Sequence, residues 1–292
     1  MSENTEIIKQ DLFFAQDIEN LPDDIMISTM TITCKLNTLF NVKNIAQYVD
    51  LDDENILSVK HGKKEDITTN RTIIILKKNS KNKVKKKKRS FYNQATMQVK
   101  TSNNIINVKL FLNGSIQMTG CKSINNIREA LEKVFIKLRN IKAIPDYSIN
   151  KIIEKPFVED INILSVCNLY DFQICMINSN FQIGFEINRD KLFELLLKDN
   201  IKCTYDPNIH ACVNIKYNNN DKIISIFIFE SGAIIITGAR TCQQILSAYN
   251  FINKYLLEHY IVLNKNNSLT SSTILDYLDN LDNLDSFIAI CE

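Results

Sequence analysis

The stretch FLNGSIQMTGCKS, from Phe111 to Ser123, occurs a second time in altered form as FESGAIIITGART, from Phe229 to Thr241. Seven positions of the pattern F-x-x-G-x-I-x-x-T-G-x-[KR]-[ST] agree at a constant separation of 118 residues without a gap. A long pattern repeated at a fixed separation indicates an internal duplication, in which each copy is one structural unit. The sequence therefore predicts two related halves with approximate two-fold symmetry.

Each copy of the pattern predicts a β-hairpin followed by a helix. In the first copy the apolar run Ile105–Phe111 leads into the pair Asn113–Gly114, where glycine allows the positive φ of a tight turn. A second short strand is expected over residues 115–119, and Ser123 then stands at a helix N-cap position. Apolar residues at helical spacing follow, and the second copy repeats this order 118 residues later. Each half therefore ends in an amphipathic helix that needs a sheet to cover.

Each half also has an upstream part made of one strand and one short helix. In the first half these are the apolar stretch Ile25–Leu36 and a helix over Lys43–Val49. In the second half they are Asp171–Ile183 and Asp190–Leu197. The order in each half is thus strand, short helix, several antiparallel strands and long helix, which predicts an α+β fold.

The composition indicates an intracellular protein without a metal or cofactor. The chain has 292 residues and is 45% hydrophobic, enough for one large or two medium cores. It has no apolar run of the ~20 residues that a membrane span needs, and the mixed, acidic first twenty residues do not resemble a signal peptide. Its eight cysteines form no C-x-x-C pair, so we expect reduced thiols that pack as small apolar side chains.

The net charge of +2 conceals a strong segregation of charge along the chain. Lys77 to Arg89 contains nine cations in thirteen residues, whereas Asp276 to Asp285 is acidic with leucines at three-residue spacing. Runs of this kind are commonly solvated and flexible. The basic run could instead contact phosphates or serve nuclear import, and the acidic run could be an interaction tail.

With this order of elements and the twin motif, the chain resembles the TATA-box-binding proteins. In that family each half of a saddle carries a strand ending in Ile-Phe, then Ser-Gly-Lys and Thr-Gly-Ala-Lys. The matching segments here are Leu110–Ser123, Ile228–Arg240, Ser28–Thr29 with Cys34–Leu36, Asp171–Ile174 and Tyr205–Pro207. The resemblance covers about residues 22–145 and 165–260.

The resemblance implies a saddle of two pseudo-symmetric repeats, with a curved antiparallel sheet and helices on its convex face. The resulting domain prediction is an N-terminal segment 1–21, repeat 1 over 22–145 with a lysine-rich insertion at about 61–90, a linker 146–164, repeat 2 over 165–262 and an acidic C-terminal tail 263–292.

The resemblance also implies a transcription initiation factor that binds the minor groove of AT-rich promoter DNA and bends it. In this family apolar side chains enter base steps near both ends of the site, and flexible steps are the least costly to deform. The implied partners are double-stranded AT-rich DNA, general transcription factors and RNA polymerase, bound by a monomer that has no membrane association. The heavy use of Asn, Ile and Lys resembles proteins of very AT-rich genomes. We therefore expect a viral protein, in the nucleus or at a viral transcription site in the host cytoplasm, and not secreted.

The resemblance assigns the DNA contacts residue by residue. The family's wedge phenylalanines before each turn match Phe111 and Phe229. The upstream wedge positions, on the preceding strand, fall on Tyr92 with Phe91 beside it in repeat 1, and on His210 in repeat 2. Thr119 and Thr237 match the threonines at the groove centre, while Asn178 is a substitute for a groove-reading asparagine whose positions fall on Ile25 and Met176. The remaining basic candidates are Lys100, Lys109, Lys122, Lys216 and Arg240.

Two other classes of function are alternatives to DNA binding. A phosphate loop is excluded because Gly120–Ser123 lacks the glycine that must precede Lys-Ser, and the three histidines lie far apart in the chain. The sequence therefore predicts that the protein is not an enzyme. The second alternative is a scaffold of the same fold that acts through protein partners with weak or no DNA binding, because Ile25, Met176 and His210 replace the family's residues.

Deleting Lys77–Arg89 tests the basic run. If these cations contact phosphates, the deletion weakens binding to all DNA sequences alike and flattens the dependence of log K on log salt, measured by titration. If they serve import, affinity is unchanged and cellular localisation shifts. A deletion that changes neither would show that the run is only a solvated segment.

Overall fold

The computed structural model describes residues 21–62, 68–73, 92–219 and 222–265. The basic run Lys77–Arg89, Phe91 and the acidic stretch around Asp276–Asp285 lie outside these residues. The chain divides into two compact units. The first unit comprises the residues up to Asn180 together with Thr237–Leu246, and the second comprises Phe181–Ile236 and the residues from Ser247 onward.

The first unit is built around an antiparallel sheet with the strand order β9-β1-β6-β5-β4-β2-β3. Its elements are β1 Met26–Lys35, α1 Val42–Tyr48, β2 Ile56–Gly62, β3 Thr68–Thr72, β4 Gln94–Lys100, β5 Ile105–Phe111, β6 Ser115–Cys121, α2 Ile124–Leu138, the β7 Lys142–Asp146 and β8 Lys151–Lys155 hairpin, and β9 Tyr170–Gln182 as far as Asn180. The expected first strand and short helix are therefore confirmed within one or two residues.

The second unit has the strand order β10-β11-β12-β13. Its elements are the last two residues of β9, α3 Arg189–Lys198, β10 Cys203–Thr204, β11 Cys212–Asn219, β12 Lys222–Phe229, β13 Ala233–Ala239 except its last three residues, α4 Cys242–Glu258 from Ser247 onward, and α5 Tyr260–Leu263. The α+β class and the order of strand, short helix, antiparallel strands and long helix are confirmed in both halves of the chain.

Burial alternates along the strands and gives each sheet a covered and an open side. On β5 the side chains of Ile106, Val108 and Leu110 are fully buried, whereas the intervening Asn107 and Lys109 are half-exposed. Successive side chains of a strand point to opposite faces, so the buried set lies on one face. Helix α2 covers that face of β4 and β6 with its own apolar stripe, as its spacing predicts.

The repeated pattern forms the same hairpin turn in both halves. Gly114 and Gly232 adopt φ of 83° and 79°, which a residue with a Cβ rarely adopts. The carbonyl of Gly114 accepts from the Leu36 N–H at 3.0 Å, and that of Gly232 accepts from the Ile183 N–H at 2.9 Å. Each turn is thereby fixed to the chain just after the first strand of its own half.

The strand after each turn is two residues longer than the sequence predicts. The Thr-Gly pair was expected to end it, but β6 continues through Gly120 to Cys121. Gly120 has φ of 92° and is passed over in the ladder, where Met30 faces Cys121 and Thr31 faces Thr119. Glycine thus forms a bulge that lets the strand continue.

Both long helices begin at the predicted caps. The Ser123 hydroxyl accepts from the Asn126 N–H at 3.2 Å, and the Thr241 hydroxyl accepts from the Gln244 N–H at the same distance. These bonds satisfy one of the unpaired N–H groups of the first turn. The helices α2 and α4 begin 118 residues apart, the separation of the motif itself.

Two segments expected as connections contain secondary structure. The linker 146–164 includes β8, which pairs with β7, and its carbonyl at Phe157 accepts from the Asn41 N–H at 2.8 Å. The insertion contains β3, which adds a strand beside β2. Arg71 of β3 donates to the carbonyls of Ala46 and Val49 at 2.8 and 2.7 Å, so a cation caps the C-terminal end of α1.

Within the described residues, no helix is long and apolar enough to cross a membrane. The seven cysteines that the structure describes form no disulfide. Burial raises the pKa of the Cys34 and Cys121 thiols to about 12, so both remain protonated and unreactive at neutral pH.

Gly114→Ala and Gly232→Ala test the turn. Each new Cβ would lie far inside van der Waals contact with carbonyl oxygens after the first strand, at a φ that alanine disfavours. We expect each to cost more than ~1 kcal/mol, lowering the melting temperature by at least about 2–4 °C in a thermal unfolding scan. Gly184→Ala is the control, because Gly184 is exposed and has no positive φ. Equal melting temperatures for the turn and control variants would contradict this account.

Candidate nucleic-acid interface

The first unit has an open sheet face, opposite the side covered by α2, that carries no carboxylate on its three central strands. We call these side chains the first open face. They are Gln94, Thr96, Gln98 and Lys100 on β4, Ile105, Asn107, Lys109 and Phe111 on β5, and Ser115, Gln117 and Thr119 on β6. Amides, hydroxyls and two cations thus surround a few apolar groups, a surface suited to an uncharged groove between phosphates.

The second unit has a matching surface, which we call the second open face. It consists of Cys212, Asn214, Lys216 and Asn218 on β11, Ile223, Ser225, Phe227 and Phe229 on β12, and Ala233 and Ile235 on β13. These positions also carry no Asp or Glu. The second open face is more apolar than the first, with Lys216 as its cation.

The wedge candidates Phe111 and Phe229 occupy equivalent places at the ends of β5 and β12. Both rings are half-exposed and lie on the open faces. Phe111 faces Gln94 across the ladder, and Phe229 faces Cys212. The separation between Gln94 and Cys212 is again 118 residues, so the duplication extends back through β4 and β11.

The upstream wedge candidates lie in turns and not on strands. Tyr92 is 55% exposed and precedes β4 by two residues, while the exposed His210 precedes β11 by two residues. The His210 N–H donates to the Asp206 carbonyl at 2.8 Å, which keeps this residue in a turn. The family resemblance treats Tyr92 and His210 as equivalent, and both do lie two residues before a strand. The resemblance predicted them on the strands themselves, whereas the structure has them just before the strands. Phe91 lies outside the described residues.

The two motif threonines meet equivalent partners in the first unit. Thr119 faces Thr31 in the ladder between β6 and β1. The Thr237 hydroxyl donates to the Asn178 side-chain oxygen. Thr31 and Asn178 are 147 residues apart, the same separation as Leu36 and Ile183, which bind the two turns. We call Thr31, Thr119, Asn178 and Thr237 the central quartet.

The structure corrects the sequence register of the groove-reading positions. Ile25 is buried and precedes β1, and the residue 147 positions later is Phe172, which is equally buried. Met176 instead corresponds to Thr29, and its sulfur lies 3.9 Å from the Thr237 hydroxyl. Strand β9 pairs with β1 through register shifts, and periodicity alone does not reveal such shifts. In the observed register, the side chain of Asn178 lies beside that of Thr237.

The basic candidates divide into three groups. Lys109 lies on the first open face beside the Gln117 oxygen at 3.0 Å, and Lys216 lies on the second beside the Ser225 hydroxyl at 2.7 Å. Lys100, which is also on the first open face at the end of β4, forms an ion pair with Glu54 at 3.3 Å. The other two, which follow β6 and β13, are exposed: Lys122 and Arg240.

Sequence reasoning missed an ion pair at the end of β1. Lys35 lies on the same side of β1 as Thr31 and Thr33, and its ammonium is 2.7 Å from the Asp171 carboxylate. The hydrogen bond from Lys35, followed by one from Gln173, holds the pKa of Asp171 below its ordinary value. Among the described residues no group of three or more His, Cys, Asp or Glu could hold a metal ion.

Residues 171–259 match the model of a family described as transcription factor TFIID, or TATA-binding protein. The chain is also 41% identical over 253 residues to a "TATA-box-binding protein-like" protein of Acanthamoeba polyphaga mimivirus, covering 81% of this chain and 66% of that protein. The chain therefore spans slightly less than two thirds of the length of this viral relative. Among solved structures, the TATA-binding protein of Methanococcus jannaschii aligns with a TM-score of 0.49 and 16% identity, over 78% of this chain and 95% of that one.

The family match falls on the second half of the chain, and the duplication connects the first half to it. The turn, the helix cap and the threonine recur in the first half at the separation of 118 residues. The viral relative aligns over most of both halves. The chain therefore belongs to the TATA-binding-protein family, as a divergent member.

Proposed function

We propose that this protein is a transcription initiation factor that binds the minor groove of AT-rich promoter DNA and bends it. The observation that carries the proposal is the pair of carboxylate-free open faces, each ending in a half-exposed phenylalanine at an equivalent place. The family consists of transcription factors and not of enzymes, which supports a binding role. DNA bending itself is an inference from these surfaces.

Bending is assigned to Phe111 and Phe229. A half-exposed ring at the end of an open sheet face can enter a base step, where it replaces base stacking with contact to an apolar side chain. Unstacking costs a few kcal/mol for each step and is offset by the larger contact area on bent DNA. Two such rings, at equivalent strand ends, suit two kinks, one made by each repeat.

A preference for A·T pairs is supported by the central quartet. The Asn178 oxygen already accepts from Thr237, so its amide NH2 remains as the group for a base edge. The minor-groove edges of A·T and T·A present only acceptors, whereas G·C adds the guanine NH2 donor. A donor on the protein therefore pairs with A·T and meets a like donor at G·C.

We further propose that the protein acts as a monomer with general transcription factors and RNA polymerase as partners. The outward sides of α2 and α4 provide surface for such partners while the open faces remain available for DNA. The proposed location is the nucleus or a viral transcription site in the host cytoplasm, which follows from this activity.

The scaffold alternative is favoured by one observation. The positions where the family has groove-reading asparagines are taken by the buried apolar side chains of Ile25 and Phe172. Base readout then depends on Asn178 and the threonines alone. A protein with this fold and no measurable affinity for DNA would act through protein partners.

Phe111→Ala and Phe229→Ala test the wedges. Each removes an apolar ring from the end of an open face, and we expect DNA affinity to fall by roughly 5- to 150-fold for a loss of ~1–3 kcal/mol. The bend should fall as well, measured by energy transfer between dyes at the two ends of an AT-rich duplex. Tyr147→Ala is the control, because Tyr147 is 88% exposed on the β7–β8 hairpin. Unchanged bending in the double phenylalanine variant would reject the wedge assignment.

Asp171→Asn tests the electrostatics. The lowered pKa of Asp171 means that its carboxylate is charged, and pairs with Lys35, at all pH values above that pKa. The substitution leaves Lys35 available to a phosphate, so binding should tighten and the slope of log K against log salt should steepen by about one. Glu154→Gln removes the same charge from an exposed position on β8 and should have little effect. Identical slopes for the two variants would place Lys35 away from the DNA.

A further inference from the structure

The tip of the β12–β13 hairpin is held by one cation that is mostly buried, Arg189. This residue is the first of α3, and its side chain is only 21% exposed. One guanidinium nitrogen donates to the Ala211 carbonyl at 2.7 Å, and the other donates to the Glu230 carboxylate at 2.6 Å. The guanidinium also lies over the Tyr205 ring, 5.7 Å from its centre.

These contacts join the two segments that carry the wedge candidates of repeat 2. Ala211 directly follows His210, and Glu230 directly follows Phe229. The Glu230 carboxylate also accepts a hydrogen bond from the Lys265 ammonium. The hydrogen bonds from Lys265 and then Arg189 hold the pKa of Glu230 below its ordinary value. The cluster is therefore intact at neutral pH and is lost only as the pH falls through that lowered pKa.

Repeat 1 holds its tip in a different way. The Leu112 N–H, 118 positions before that of Glu230, donates to the Asn93 carbonyl at 3.1 Å. This backbone bond does not recur between Glu230 and Ala211 in the described part of the chain, where Arg189 occupies the Ala211 carbonyl. The residue 147 positions before Arg189 is Val42, which is buried and uncharged. The hairpin tip is thus joined to the segment before the neighbouring strand by a backbone hydrogen bond in repeat 1 and by the charged side chain of Arg189 in repeat 2.

We propose that Arg189 is a positioning residue that orients Phe229 for insertion into DNA, and that the kink made by repeat 2 is salt-sensitive where that of repeat 1 is not. This inference rests on the proposed function. Arg189 need not touch DNA, since it acts by fixing the hairpin tip to the turn before β11. A planar guanidinium suits this role because it makes two directed bonds and stacks on an aromatic ring at once. Raised salt weakens the exposed Glu230 end of the cluster but leaves a backbone bond unchanged.

The test separates the two kinks by removing one wedge at a time. In a Phe111→Ala background the remaining bend comes from Phe229, and in a Phe229→Ala background it comes from Phe111. We expect Arg189→Met to remove most of the remaining bend in the first background and to leave the second unchanged, measured by energy transfer on an AT-rich duplex. Arg189→Lys keeps the charge and should restore part of the lost bend. Raising the salt, with DNA kept saturated, should likewise reduce the bend only in the first background.

One control variant and one second test variant accompany Arg189→Met. Lys191→Met removes a cation from an exposed position on the same helix and should leave both bends intact. Glu230→Gln, which weakens the cluster with a smaller change of shape, should reproduce the background-specific loss if Arg189→Met fails to fold. Equal losses of bend in both backgrounds, or no loss in either, would overturn the role of Arg189. An unmodified protein that does not bend AT-rich DNA would instead overturn the proposed function, and the Arg189 inference with it.

Discussion

Each hairpin turn packs directly against the chain that follows the first strand of its own half, and this contact fixes the strands on both sides of the turn. At Gly114 and Gly232 the turn carbonyl accepts a backbone hydrogen bond, and no space is left for a Cβ. The strand before the turn ends with a phenylalanine on the open face, and the strand after it carries the motif threonine. One turn geometry, used twice, therefore places all four motif side chains.

The same contact explains which parts of the fold could be predicted from the sequence. Turn glycines, helix caps and apolar spacing are local signals, and the hairpins and helices that they predict are present within one or two residues. The bulge at Gly120 and the register of β9 against β1 depend on pairing between distant segments, which periodicity does not encode. The strand β3 was missed for a similar reason, since its pairing with β2 and the contacts of Arg71 are tertiary.

The candidate site shows the same division. The motif fixes the equivalent positions of Phe111, Phe229, Thr119 and Thr237, whereas the contact between Asn178 and Thr237 could be seen only in the observed register. The pairing of Lys100 with Glu54 and of Lys35 with Asp171 could not be read from the chain, because the partners are 46 and 136 residues apart. The two halves differ most at their hairpin tips, one tied by a backbone bond and the other by Arg189. The two repeats thus differ in the chemistry of their hairpin tips.

The proposed function requires that the open faces bind AT-rich DNA in its minor groove. The most direct measurement is a titration of the full chain against matched AT-rich and GC-rich duplexes at two salt concentrations, with the bend recorded in each sample. The account predicts tighter binding and a larger bend on the AT-rich duplex, a preference that persists when salt lowers both affinities. Equal affinities for the two duplexes without a bend, or no binding to either, would contradict it.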